Sequence, residues 1–131
     1  MDGGSITKKI KILIVDDNRI IRHLLRMTFF DKRFELFEAE CSNIVLPIIT
    51  DQKPDYIILD VMMPGELNGF QICQQVKACK DTRDCKIILL SARSQQQDFD
   101  LGKQVGADFY MTKPFSPKEL LSLIDIEMAD A

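Results

Sequence analysis

Five polar side chains stand directly after apolar runs in this chain, and their types define the chemistry available to it. Asp16 and Asp17 follow Ile12-Leu13-Ile14-Val15, Asp60 follows Tyr56-Ile57-Ile58-Leu59, and Ser91 follows Ile87-Ile88-Leu89-Leu90. Lys113, held by the following Pro114, closes a shorter run that contains Phe109, Tyr110 and Met111. Carboxylates gathered at one edge repel one another, so they need a shared proton or a hard divalent cation such as Mg²⁺, which takes oxygen ligands. Carboxylates, cation, hydroxyl and ammonium together suit a phosphoryl group in transfer. The positive groups neutralise its oxygens, the hydroxyl donates a hydrogen bond, and one aspartate attacks phosphorus to give an acyl phosphate.

The elements that must position these residues alternate along the chain. Residues 9–15 alternate and then become solidly β-branched, as a strand buried on both faces does. Ile20, Ile21, Leu24, Leu25, Thr28 and Phe29 recur at helical spacing over 19–30, with Asn18 or Asp17 placed to cap. A strand over 34–39, a helix over 43–50 interrupted or bent by Pro47, and a strand over 56–59 follow. Residues 61–68 form a loop, 69–79 a helix, 85–90 a strand, 95–105 a polar helix and 108–111 a fifth strand. The last helix, 117–128, has Ser116 to cap it, Pro117 at its first position and Glu119 in its first turn. Phe115, Leu120, Leu121 and Ile124 are its core positions by spacing.

Five strand and helix pairs in strict alternation predict an α/β fold, a doubly wound five-stranded parallel sheet with helices on both faces, flavodoxin-like with strand order 2-1-3-4-5. In such sheets ligands bind at the carboxyl ends of the strands, where strand order reverses. The polar residues singled out above all fall at those ends.

Composition excludes other classes. The chain has 131 residues, 46% of them apolar and 28% charged, enough for one domain with a real core and without disulfide staples. With 17 basic against 20 acidic residues, a net charge of -3 and no basic stripe, direct nucleic-acid binding by this segment is not expected. The longest apolar runs are far short of the roughly 20 residues of a membrane span, and no apolar segment behind a basic stretch marks the N-terminus, so the expected location is cytoplasmic. Cys41, Cys73, Cys79 and Cys85 include no C-x-x-C pair and read as reduced thiols, Cys41 and Cys73 as packing residues. His23, between Arg22 and Arg26, reads as a solvated imidazole.

Taken in order, Ile12-Leu13-Ile14-Val15-Asp16-Asp17-Asn18, the stretch from Pro54-Asp55-Tyr56 through Asp60-Val61-Met62-Met63-Pro64-Gly65, Ser91-Ala92, and Gly106-Ala107-Asp108-Phe109-Tyr110-Met111-Thr112-Lys113-Pro114-Phe115 resemble a response-regulator receiver domain. This is the phosphoacceptor half of bacterial two-component signalling, of the chemotaxis-regulator type. The resemblance implies a receiver domain over 10–129, with a flexible lead over 1–9 and a tail of 130–131. It makes Asp60 the phosphorylated residue, Asp17 a direct Mg²⁺ ligand, Asp16 a ligand partly through water, and the Met62 carbonyl a third metal contact. It also implies that Ser91 moves toward the phosphoryl group, that Lys113 pairs with it, and that Tyr110 is the aromatic whose inward rotation reports phosphorylation. Met62 and Arg93 occupy places that, in the family, tune the access of water to the acyl phosphate. The four residues between Pro64 and Gly69 are one more than the usual spacing, which predicts a bulged loop.

The implied donor is a sensor histidine kinase or histidine phosphotransfer protein, and the output a downstream effector protein or an effector domain beyond this segment. Homodimers formed near the last helix are common in the family. The chain then acts as a signalling domain rather than a turnover enzyme. The alternatives are a phosphorylation-independent interaction module and a haloacid-dehalogenase-type phosphatase. The phosphatase needs a second aspartate where Met62 stands. A flavodoxin-type cofactor binder would have its phosphate repelled by Asp16-Asp17.

Overall fold

The apolar runs that read as strands buried on both faces become the centre of a parallel sheet in the computed structural model, which describes residues 8–129. The strands are β1 (Ile10–Val15), β2 (Phe34–Ala39), β3 (Tyr56–Asp60), β4 (Lys86–Ser91) and β5 (Phe109–Thr112), in the order β2-β1-β3-β4-β5. The helices are α1 (Arg19–Thr28), α2 (Val45–Gln52), α3 (Gly69–Ala78), α4 (Gln96–Gln104) and α5 (Pro117–Ala129). The expected lead and tail lie almost wholly outside the described residues. Among those described, no helix is long and apolar enough to cross a membrane.

Strand side chains alternate between the two faces, so each central strand feeds two cores. Leu13, Val15, Ile57, Leu59, Ile87 and Leu89 pack with Val45 and Ile49 of α2 and Phe70, Ile72, Cys73 and Val76 of α3. Ile12, Ile14, Ile58, Ile88 and Leu90 pack on the other face with Leu25 and Phe29 from the α1 side and with Leu120 and Ile124 of α5. Each such aliphatic side chain contributes about 1.5–3 kcal/mol when fully buried. The apolar spacing of α1 is wider than its buried stripe: Leu25 is buried, but Ile20 is 78% exposed and Leu24 40%.

Of two local expectations, one is narrowed to a single residue and the other resolves differently. Asn18, not Asp17, caps α1, its side chain accepting the Ile20 and Ile21 amides at 2.9 and 3.2 Å, which leaves the Asp17 carboxylate uncommitted to the cap. The helix expected over 43–50 divides into a single 3₁₀ turn, Ser42–Ile44, and then α2. Pro47 therefore falls in the first turn of α2, where an amide would have no partner in the helix, so no bend is needed.

Register sets the level of the site. Val15 pairs with Leu59, so Asp16 and Asp60 each stand one residue beyond that pair. Ser91 pairs with Thr112, and the Lys113 amide donates to the Ser91 carbonyl at 2.8 Å.

Candidate functional site

At three strand ends the same local device recurs. Asp16 Oδ1 accepts the Asn18 amide at 2.8 Å, Asp60 Oδ1 accepts the Met62 amide at 3.0 Å, and Ser91 Oγ accepts the Arg93 amide at 3.0 Å. Each side chain folds back on the backbone two residues later, as Asp and Ser do in turns, and is fixed in direction by it. The second carboxylate oxygens then converge on one ammonium: Lys113 Nζ lies 2.9 Å from Asp16 Oδ2 and 3.3 Å from Asp60 Oδ2. Asp16 is 1% exposed and Asp60 5%, whereas Asp17 is exposed at the rim.

Asp16, Asp17 and Asp60 present carboxylate oxygens within 4.8 Å of one another, the one such group of three potential metal ligands among the described residues. The cysteines form no comparable cluster and are all free. An all-oxygen set with surplus negative charge fits a hard divalent cation of the Mg²⁺ type better than a soft metal. Met62 meets Asp60 through its amide, and the residue is 60% exposed.

The electrostatics follow from this crowding. Burial pushes the Asp60 carboxyl above its ordinary value and the Asp16 charge adds to that, against the Met62 amide and the Lys113 ammonium. For Lys113 burial works to lower the pKa, but the hydrogen bond to Asp16 and the charges of Asp60 and Asp16 outweigh it and hold the ammonium above its usual range.

Two glycines shape the surroundings. At Gly69 a Cβ would stand 2.5 Å from the Asp60 carbonyl oxygen, so only glycine lets α3 begin this close to the strand end. Gly65 has φ +120°, which side chains rarely adopt, and a Cβ there would collide with Ser42 Oγ. The longer loop expected after Pro64 is pinned by this contact: Ser42 Oγ accepts the Leu67 amide at 3.1 Å and Asn43 Oδ1 the Glu66 amide at 3.2 Å.

Beyond Ser91 the structure adds partners that sequence spacing does not reveal. The Tyr110 hydroxyl donates to the Arg93 carbonyl at 2.9 Å, and its ring meets Phe99 edge-on with centroids 4.8 Å apart and stacks with Phe70 at 6.3 Å. Arg93 Nε in turn donates to Asp98 Oδ1 at 2.9 Å. The one local cue to Asp98 is an acidic residue in the first turn of a helix, which many helices share.

A profile of the response regulator receiver domain family matches residues 12–125, nearly the whole sheet and its helices. The chain belongs to this family. Its similarity to the phosphate regulon transcriptional regulatory protein PhoB of Pseudomonas aeruginosa is 40% identity over 111 residues, 85% of this chain and 48% of that protein. The receiver domain thus spans about half the length of the curated relatives it matches. Among solved structures, the chemotaxis protein CheY4 of Vibrio cholerae superposes with a TM-score of 0.82 at 29% identity, covering 91% of this chain and 98% of that one. The response regulator DrrB, a Thermotoga maritima OmpR/PhoB homolog, gives 0.81 at 27% identity over 94% of this chain and 54% of that one. The chain is therefore the receiver domain of a two-component response regulator, a signalling domain.

Proposed function

We propose that this receiver domain takes a phosphoryl group onto Asp60 and converts it into a change of its interaction surface. An Asp60 carboxylate oxygen attacks phosphorus, and the phosphorus to nitrogen bond of a donor phosphohistidine breaks. The electron pair returns to the imidazole, leaving an acyl phosphate on the chain. Asp16, Asp17 and Asp60, with the Met62 carbonyl, are the residues that would hold Mg²⁺. When bound, the ion supplies charge neutralisation for the phosphoryl oxygens. Lys113, already between Asp16 and Asp60, is placed to pair with the new oxygens. Ser91 donates to one of them, Tyr110 responds, and Met62 and Arg93 limit the approach of water.

The observation that carries this reading is the surplus of carboxylate around a single ammonium: two buried aspartates share Lys113 while a third stands within 4.8 Å. The donor is a sensor histidine kinase or histidine phosphotransfer protein in the cytoplasm. The output goes to a partner protein or an effector domain, either of which a homodimer could serve.

The test is intact mass after incubation with Mg²⁺ and acetyl phosphate, where the phosphorus to oxygen bond breaks and acetate leaves. Wild type is expected to gain one phosphoryl group and Asp60→Asn none. No gain by wild type with Mg²⁺ binding confirmed would favour an interaction module that works without phosphorylation. Ser91→Ala and Lys113→Ala, once phosphorylated, are expected to lose partner binding, because the phosphoryl group biases the switched arrangement only through contacts made better there.

A further inference from the structure

Every polar atom of Asp16 has a partner, and one of those partners lies outside the acidic cluster. The Asp16 amide donates to the Ala39 carbonyl of β2 at 3.1 Å, Oδ1 accepts the Asn18 amide at 2.8 Å, and Oδ2 faces Lys113 Nζ at 2.9 Å. The Asp16 carbonyl, one residue beyond β1, accepts Arg22 Nη1 of α1 at 2.8 Å. The other guanidinium nitrogens of Arg22 face the edge strand: Nε lies 3.2 Å from Glu38 Oε1 and Nη2 3.8 Å from Glu40 Oε2. Arg26 Nη1 holds Glu38 in turn, donating to both its oxygens at 2.7 and 2.8 Å. The Arg22 side chain is 13% exposed, against 42% for Arg26.

A guanidinium beside a group of carboxylates acts in two opposite ways on a cation held there. Its charge repels the cation, whereas its hydrogen bond holds in place the backbone that presents the ligands. At Arg22 the charge is answered by Glu38 and Glu40, which leaves the bond to Asp16 as the larger effect. Asp17 comes next in the chain and is exposed at the rim, so the direction of its carboxylate depends on the turn from Asp16 to Asn18. Arg22 closes that turn twice, by its side chain on the Asp16 carbonyl and by its amide, which donates to the Asn18 carbonyl at 3.1 Å.

We infer that Arg22 is a positioning residue for divalent-cation binding: braced against Glu38, it fixes the Asp16 carbonyl and with it the angle at which Asp16 and Asp17 present their carboxylates. This rests on the reading of Asp16, Asp17 and Asp60 as the residues that hold Mg²⁺ in a phosphoacceptor site. Arginine suits the task because its planar fork serves a carbonyl and a carboxylate together, whereas lysine offers a point charge on a flexible stem.

The two effects differ in sign, and Mg²⁺ affinity separates them. Arg22→Met removes both charge and hydrogen bond, and Arg22→Lys keeps the charge but loses the fork. Arg26→Met removes an equal charge from the same Glu38 and has no bond to Asp16. Titration of MgCl₂ into labelled protein, followed by the amide resonances of residues 17, 18 and 62, gives Kd without any phosphodonor. Both Arg22 variants are expected to raise Kd on the order of tenfold, and Arg26→Met to change it by less than about twofold. With acetyl phosphate, the Mg²⁺ concentration that gives half the maximal rate of mass gain rises by the same factor in the Arg22 variants.

A weakened Kd in Arg22→Lys with a wild-type thermal midpoint in EDTA is an effect that a merely structural role would not produce, and it supports the inference on its own. Tighter binding in Arg22→Met with a wild-type Kd in Arg22→Lys overturns it in favour of charge alone. Wild-type affinity in both Arg22 variants overturns it as well, and so does equal weakening in Arg26→Met, the mark of a general loosening of α1. Should wild type bind Mg²⁺ and gain no phosphoryl group, the reading of Asp60 falls while the positioning role of Arg22 stands on its Kd. Should wild type bind no Mg²⁺, both fall.

Discussion

At the amino-terminal end of the sheet Asp108 is matched on both oxygens, with Lys86 Nζ 4.0 Å from Oδ1. Its Oδ2 accepts the Ile87 amide at 2.7 Å and the Lys77 ammonium at 2.9 Å. Lys77 also donates to the Arg83 and Cys85 carbonyls at 3.1 and 2.7 Å, so one ion pair ties α3, the following loop and the start of β5. At the carboxyl-terminal end three carboxylates face one ammonium, and Asp60 is left with a raised pKa. The first end balances partly buried charge within the chain, whereas the second leaves buried charge in surplus. Balanced buried charge fixes segments in place, whereas surplus buried charge is tolerated where a ligand from outside completes it.

The largest effect expected from this contrast concerns Cys73, next to the matched end. It is buried, its Sγ donates to the Val105 carbonyl at 3.6 Å, and burial pushes the thiol up to about 12, with Lys77 pulling it down and Asp108 pushing it further up. Between pH 9, its ordinary value, and about 12 the folded chain keeps a proton that the unfolded chain has lost. Folding stability therefore falls as pH rises through that window and is unaffected near neutrality. At pH 8 alkylation of Cys73 in the folded chain should be on the order of a thousandfold slower than at exposed Cys79, measured by peptide mass mapping. Similar rates at the two thiols would mean that the matched end opens readily.

Next in size is Asp108→Ala, which strands the Lys77 ammonium and the Ile87 amide. Urea unfolding is expected to show a loss of about 3 kcal/mol, the same with and without Mg²⁺. A loss that Mg²⁺ restores would break the division between the two ends.

How far the two ends could be read from sequence differs for a physical reason. Asp16, Asp60, Ser91 and Lys113 were legible because each closes an apolar strand, and strands in a parallel sheet end together, so residue type and position predict convergence. The Lys77–Asp108 and Arg93–Asp98 pairs were not, since they join side chains 31 and 5 residues apart whose meeting depends on rotamer and loop path rather than on period. Helix α1 shows the same limit. Its apolar spacing included Ile20 and Leu24, yet packing against a sheet buries only one stripe, and Leu25 and Phe29 take it with Ile21 at its edge. The Pro47 bend was misplaced because a proline in the first turn of a helix and one in its middle look alike until the start of the helix is known.

The smallest effect belongs to the surplus end. Asp60→Asn retains an oxygen for the Met62 amide and removes the charge that burial and Asp16 both disfavour. In EDTA the variant should therefore be more stable than wild type, by about 1 kcal/mol, in the way that relaxing a functional site commonly is. Adding Mg²⁺ should close or invert the difference, because the ion binds only the folded chain and binds wild type better. Thermal unfolding in the two conditions measures both. If Asp60→Asn is instead less stable in EDTA, the attraction of Lys113 outweighs the combined repulsion and burial. The carboxyl-terminal end would then be matched in the same sense as Asp108, and its surplus of carboxylates would no longer argue for a ligand.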